Sequence, residues 1–156
     1  MERLVSTPGD LFADRTLHSD PDHYTRNLIR LAEDGSLSLY AIVWRPGQWT
    51  PVHDHGSWGV VGVVEGALEE RSFMSPDGTI HRDDGIRLMR GGVIRLQPGS
   101  VTSFVPNPDH IHETGAPAER GGAVTLHLYG RTMNSFYVYD VAAGRRRLID
   151  VPHNDS

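Results

Sequence analysis

Apolar residues along this chain recur at the period of a strand, not of a helix. From Tyr24 onward, short runs rich in Val, Ile, Leu, Tyr and Thr are separated by Gly, Pro, Asn and Asp, the pattern of strands punctuated by turns. Tyr24 to Leu31 and Leu37 to Trp44 flank Asp34-Gly35, which predicts two strands joined by a turn. Further strands are predicted from Trp58 to Glu65 and from Ala67 to Phe73, the latter followed by a turn at Asp77-Gly78. The same reading gives strands at Gly85 to Met89, Gly92 to Leu96, Val101 to Val105, Ile111 to Thr114, Ala123 to Tyr129, Ser135 to Val141 and Arg147 to Val151. Ahead of Asp22 the pattern is mixed, broken at Pro8-Gly9 and Asp20-Pro21, with a short amphipathic helix expected around Leu11 to Leu17. Roughly ten to twelve short strands without a long helix predict an all-β domain, and a jelly-roll barrel is the natural architecture.

The chain has 156 residues, enough for one packed core, and no linker, repeat or low-complexity run divides it. The expected organisation is a mostly irregular or helical N-terminal segment at 1–22, a single domain over 23–151 and a tail at 152–156. A formal net charge of -5 argues against nucleic acid as a partner, because phosphate binding needs a basic stripe. The one basic run, Arg145-Arg146-Arg147, follows a glycine turn and reads as a solvated edge. No apolar stretch is as long as a membrane span and Met1-Glu2-Arg3 does not open a signal-peptide core, so no membrane association and a cytoplasmic location are expected.

Two absences narrow the chemistry. There is no cysteine, which excludes disulfides, thiolate nucleophiles and sulfur-ligated metals, and all fifteen basic residues are arginine, which excludes a Schiff-base lysine and a Walker-type phosphate loop. Chemistry is left to histidine, carboxylate, hydroxyl and arginine, with or without a metal.

His53-Asp54-His55 is the strongest candidate. Residues i and i+2 of an extended segment face the same way, so these imidazoles can share one metal. Glycines frame the pair: Gly47-x5-His53-x-His55-x3-Gly59-x6-Gly66 resembles the first cupin motif at every spacing, with Gly59 where that motif usually carries a glutamate ligand. A second block, Gly92-x5-Pro98-Gly99, resembles the start of the second cupin motif; its histidine is delayed to His110 or His112, and spacing alone leaves both open.

The larger set of residues is similar to one cupin family, the thiol dioxygenases of the cysteine dioxygenase type. Tyr24-Thr25-Arg26-Asn27, His53-Asp54-His55, His112 and Thr125-Leu126-His127-Leu128-Tyr129 occur in that family's order, from about Tyr24 to Asp140. The segment Trp44 to Gly66 looks most like the bacterial branch, which includes 3-mercaptopropionate dioxygenases. The resemblance implies Fe(II) held by His53, His55 and His112, the last preferred over His110 by its interval to His127. It implies a small thiol and O2 as reactants, with Arg26 gripping the substrate carboxylate and Tyr129, His127 and Thr125 forming an oriented relay. Tyr24 and Trp58 are expected to line the pocket, and a monomer is expected.

Cysteine is the first-choice substrate, because arginine at position 26 goes with cysteine in this family. The 3-mercaptopropionate enzymes carry their arginine after the relay tyrosine, where this chain has Phe136, Tyr137 and Val138. 3-Mercaptopropionate or another mercapto acid is the alternative. The residues suit these roles: three neutral imidazoles leave the metal's full charge and adjacent open positions for an anionic thiolate, and a guanidinium fork grips two carboxylate oxygens together. Two departures stand out. Thr125 replaces the usual serine, and Gly59 occupies the place of the cysteine that crosslinks to the relay tyrosine in animal enzymes, so no crosslink can form. A set of three histidines also suits hydrolytic zinc. The reading from another class is a non-enzymatic cupin that binds a metal or small ligand, in which the Thr125/His127/Tyr129 set would have no purpose.

Overall fold

A computed structural model describes residues 1–106 and 110–155. Two short helices, α1 (Glu2–Ser6) and α2 (Gly9–Phe12), precede the strands β1 (Thr25–Leu31), β2 (Ser38–Trp44), β3 (Gly59–Gly66), β4 (Leu68–Met74), β5 (Met89–Leu96), β6 (Val101–Phe104), β7 (Ile111–Gly115), β8 (Ala123–Tyr129), β9 (Ser135–Asp140), β10 (Arg145–Asp150) and β11 (Asn154–Asp155). The all-β jelly roll expected from strand period is the fold observed. One sheet has the order β11-β1-β2-β8-β3-β6; the other is built from β5-β4-β7 and β10-β9.

The gap in the second sheet is filled by the segment at 49–54. His53 forms antiparallel bridges to His112 and to Val138, and Trp49 bridges Gly115. The His53 and His112 backbones exchange both hydrogen bonds, at 2.8 and 2.9 Å, while Tyr139 N–H donates to the Val52 carbonyl at 2.8 Å. His53 is thereby laid between β7 and β9, directly opposite His112. On its far side Asp54 accepts the Tyr139 hydroxyl at 2.8 Å and the Tyr137 amide at 3.3 Å, pinning the loop to β9.

The barrel interior is apolar along one face of each strand. Tyr40, Ile42 and Trp44 from β2, Val61 and Val63 from β3, Leu68 from β4, Leu96 from β5, Phe104 from β6, Tyr129 from β8, and Phe136 and Val138 from β9 form one buried cluster joining both sheets. Each such side chain contributes about 1.5–3 kcal/mol by burial. The run Leu39 to Trp44 is apolar at every position because β2 is covered on both faces. Its outer residues, Leu39 and Ala41, pack with Ile29 and Leu126 under Val5, Leu4, Leu11, Phe12 and Leu17 of the N-terminal segment. Helices this short are marginal alone, so it is this packing that holds them.

Three details differ from the expected elements. Of the helix expected at Leu11 to Leu17 only the single turn α2 forms, capped by Pro8 and ending at Phe12, with α1 a separate turn ahead of it; Leu11, Phe12 and Leu17 are partly buried without being helical throughout. Gly85 to Met89 is a loop, strand only from Met89, because Ile86 is buried with Val52, Phe73 and Tyr139 while the loop is tied to β10 through the Asp84–Arg145 bridge. The segment expected as a tail carries β11, which runs parallel to β1 with Asn154 opposite Asn27. No helix among the described residues is long and apolar enough to cross a membrane.

Candidate active site

Three imidazoles converge inside the barrel. The ring centroids of His53, His55 and His112 are 4.7 to 4.9 Å apart, and one nitrogen of each lies within 4.8 Å of the others. All three side chains are buried. His53 Nδ1 lies 3.0 Å from the Pro51 carbonyl and donates to it, which leaves Nε2 as its lone-pair nitrogen. His112 Nε2 and His55 Nδ1 are buried without a hydrogen-bond partner among the described residues. Orphaned buried nitrogens are costly, and two of them on the rings of one cluster are what a bound metal ion would satisfy. Burial first, and the neighbouring rings second, push the pKa of His53 and His55 well below the ordinary imidazole range; burial also lowers His112. The neutral form is the one that ligates, so the donor set fits a metal ion.

His110, the alternative left open by spacing, stands outside this trio. It groups instead with Glu70 and His112, with its Nε2 3.2 Å from the Glu70 carboxylate. The place of the glutamate absent from the first motif is filled. A Cβ on Gly59 would lie 2.3 Å from the Phe104 ring, and that ring is stacked on His55 at 4.5 Å and on His110 at 4.6 Å. Phe104 therefore has no room to retreat. Gly59→Ala is expected to destabilise the fold by about 1–3 kcal/mol through overpacking, readable as a lowered thermal midpoint; an unchanged midpoint would show that Phe104 does not lock this position. Gly66, at φ +75°, would place a Cβ 2.0 Å from the Gly122 carbonyl, which explains the second framing glycine.

Thr125, His127 and Tyr129 alternate on β8 and form a continuous chain. Thr125 Oγ1 lies 2.9 Å from His127 Nε2, and His127 Nδ1 lies 3.2 Å from the Tyr129 hydroxyl. Trp44, absent from the sequence-based candidates, sets the direction: its indole N–H donates to Thr125 Oγ1 at 2.9 Å. Thr125 is fully buried, so its own proton needs an acceptor, and His127 Nε2 is the one in reach. His127 Nδ1 then carries the ring proton and donates to Tyr129, freeing the Tyr129 hydroxyl proton for another acceptor. Burial holds His127 neutral, its pKa lowered to about 3, and pushes the Tyr129 hydroxyl well above its ordinary value despite Arg26 nearby. Tyr129 is a hydrogen-bond donor that keeps its proton.

A narrow cavity brings most of the candidates together. Tyr24, Arg26, His53, His55, His112, His127 and Tyr129 all line it, with Trp44, Met133 and Phe136 among its apolar wall. Thr125 sits one layer behind, and Phe136 packs 4.9 Å from His53. Arg26 is buried over the Tyr40 ring at 4.3 Å. Its Nη1 donates to the carbonyls of Val151 and Pro152 at 3.2 and 3.4 Å and its Nη2 to that of Met133, so the C-terminal segment helps to aim it. Tyr24 and Arg26 also border an outer cleft of about 250 Å³ walled by Val151, Pro152, His153 and Asn154. Trp58, expected to line the pocket, does not. It is 41% exposed and lies against Gly130, because alternation along β3 turns Gly59, Val61 and Val63 inward and leaves position 58 facing out.

The chain is 24% identical over 131 residues to cysteine dioxygenase type 1 of Homo sapiens and of Bos taurus, and 23% identical to that of Rattus norvegicus. That alignment takes in 83% of this chain and 62% of each relative's length. Among solved structures it is similar to a Klebsiella pneumoniae protein with a double-stranded β-helix domain, with a TM-score of 0.53 at 12% identity over 86% of this chain and 91% of that one. It is likewise similar to an oxalate oxidase, with a TM-score of 0.54 at 14% identity over 78% and 58% of the two chains. Both similarities concern the fold. The sequence profile described as cysteine dioxygenase type I matches residues 11–142, and the chain belongs to that family.

Proposed function

We propose that this chain is a thiol dioxygenase that converts the thiol of a small carboxylated substrate, with cysteine first, to the sulfinate: R–SH + O2 gives R–SO2H. The observation that carries the reading is the meeting of three buried neutral imidazoles, an arginine and a relay-held tyrosine at one cavity. Iron(II) bound by His53, His55 and His112 would supply the site at which sulfur and dioxygen meet.

The chain's own residues account for the rest. Arg26 presents guanidinium donors at the wall, and its Nε has no hydrogen-bond partner among the described residues, which leaves an edge for a carboxylate. No aspartate or glutamate among the described residues lines the cavity, so binding selects an anionic group. Tyr129 donates its hydroxyl proton toward an oxygen of the bound substrate or of the forming sulfinate, and the Trp44–Thr125–His127 chain holds it in that orientation. Trp44, Phe136 and Met133 wall the space with apolar surface and exclude water. The cavity is small, which suits a thiol of a few heavy atoms entering from the cleft beside Tyr24.

The test is product analysis. Iron(II)-loaded protein, given cysteine or 3-mercaptopropionate under 18O2, is expected to yield the sulfinate carrying two labelled oxygens, with cysteine the better substrate. Metal bound without thiol-dependent oxygen uptake from either compound would favour a non-enzymatic binding role.

A further inference from the structure

Glu70 is a buried carboxylate with an unusual set of neighbours. Its β4 neighbour Glu69 is held by two arginines, with Arg71 Nε and Arg95 Nε each at 2.9 Å. Glu70 has the inward parity of Leu68 and, among the described residues, pairs with no arginine. It meets two imidazoles, His110 Nε2 at 3.2 Å and His112 Nδ1 at 3.4 Å, and those two nitrogens lie 3.3 Å from each other; a His110 Nε2 that donates to Glu70 cannot also accept the His112 Nδ1 proton, which leaves the carboxylate as its acceptor. A buried carboxylate with no arginine beside it contributes little to stability, since an apolar residue of similar volume would avoid its desolvation. What Glu70 does hold is a candidate ligand whose opposite nitrogen, Nε2, is buried and, among the described residues, without a hydrogen-bond partner.

We propose that Glu70 is the positioning residue of the metal centre, fixing His112 through Nδ1 so that Nε2 faces the metal, and tethering His110 outside the ligand set. The inference rests on His53, His55 and His112 as ligands. It explains how the chain manages without the first-motif glutamate. Phe104 fills the space at Gly59, and the negative charge sits one layer out, where it strengthens His112 as a donor without occupying a coordination position. Coming from β4, Glu70 reaches His112 across the β4–β7 pairing, in which Ser72 is opposite His112 and Glu70 opposite Thr114.

Co(II) titration of the whole chain, followed by visible absorption and competition with a chelator, tests this. Glu70→Gln is expected to weaken Co(II) binding about 10- to 100-fold and to alter the cobalt spectrum, Glu70→Asp to weaken it less, and His110→Gln to leave affinity within about threefold of wild type, since the Glu70–His112 contact survives. A purely structural Glu70 would lower the melting midpoint of Glu70→Gln and leave cobalt affinity unmoved, which overturns the proposal. Two cobalt ions per wild-type chain, one lost in Glu70→Gln, would also overturn it by making Glu70 a ligand. If Glu70→Gln does not fold, Glu70→Asp at wild-type affinity, or His110→Gln weakened as much as Glu70→Asp, refutes it. A wild-type chain that takes up no cobalt sinks the ligand reading and this inference together; normal cobalt uptake without dioxygenase activity leaves the role of Glu70 standing.

Discussion

His112→Ala is expected to abolish metal retention and thiol oxidation, whereas His110→Ala should retain both. The two histidines are separated by one residue, yet their positions differ. His112 is almost wholly buried, its ring centroid 4.7 and 4.9 Å from those of His53 and His55, whereas His110 lies outside that trio, its Nε2 3.2 Å from Glu70 and 3.3 Å from His112 Nδ1. Losing a direct ligand costs more than the roughly 10- to 100-fold that loss of an outer partner costs, so iron should wash out of His112→Ala on dialysis against a weak chelator. The substitution also leaves Glu70 with one imidazole instead of two, and a part-unsatisfied buried carboxylate adds a penalty of about 1–3 kcal/mol to folding. The check is iron per chain by elemental analysis beside a thermal melt in the presence of chelator. Retained iron in His112→Ala with loss in His110→Ala would reverse the assignment.

Arg26→Gln carries the second large effect. A neutral amide cannot reproduce the guanidinium fork, and removing one partner of a buried, hydrogen-bonded charge pair costs about 2–5 kcal/mol, equivalent to a fall in kcat/KM for cysteine of about 30- to 4000-fold. Cysteamine, which has the thiol and amine but no carboxylate, is the internal control, and its turnover should change by only a few fold. The variant also leaves the Met133, Val151 and Pro152 carbonyls short of donors, so some loss of stability is expected with either substrate. An equal loss for both thiols would place Arg26 in the scaffold and remove it from substrate recognition.

What could be read from the sequence was local. The strand Ala123 to Tyr129 has the expected boundaries, and because i and i+2 share a face, Thr125, His127 and Tyr129 could be read as one row from their spacing. The glycine-framed His53-x-His55 pair was legible for the same reason. What escaped came from register between distant strands. Trp44 reaches Thr125 because β2 pairs with β8, with Trp44 opposite Ala123 and Ile42 opposite Thr125, and nothing near Trp44 in sequence announces that. Glu70 and Phe104 reach the histidines in the same non-local way. Trp58 was misplaced by one step of alternation, since the strand-like run around it does not say which parity faces in. The carbonyl seat of Arg26 depends on the C-terminal segment returning beside β1, a contact between residues more than a hundred positions apart.

In the proposed centre, rings 53, 55 and 112 hold one metal ion that faces Arg26 and Tyr129. A crystal structure of the chain loaded with Fe(II) under anaerobic conditions tests it most directly. A single metal peak is expected about 2.0–2.2 Å from one nitrogen of each of those three rings, with Glu70 bound to His112 and not to the metal. A metal seated between Glu70 and His110, or a trio of rings left apart with the ion elsewhere, would contradict it.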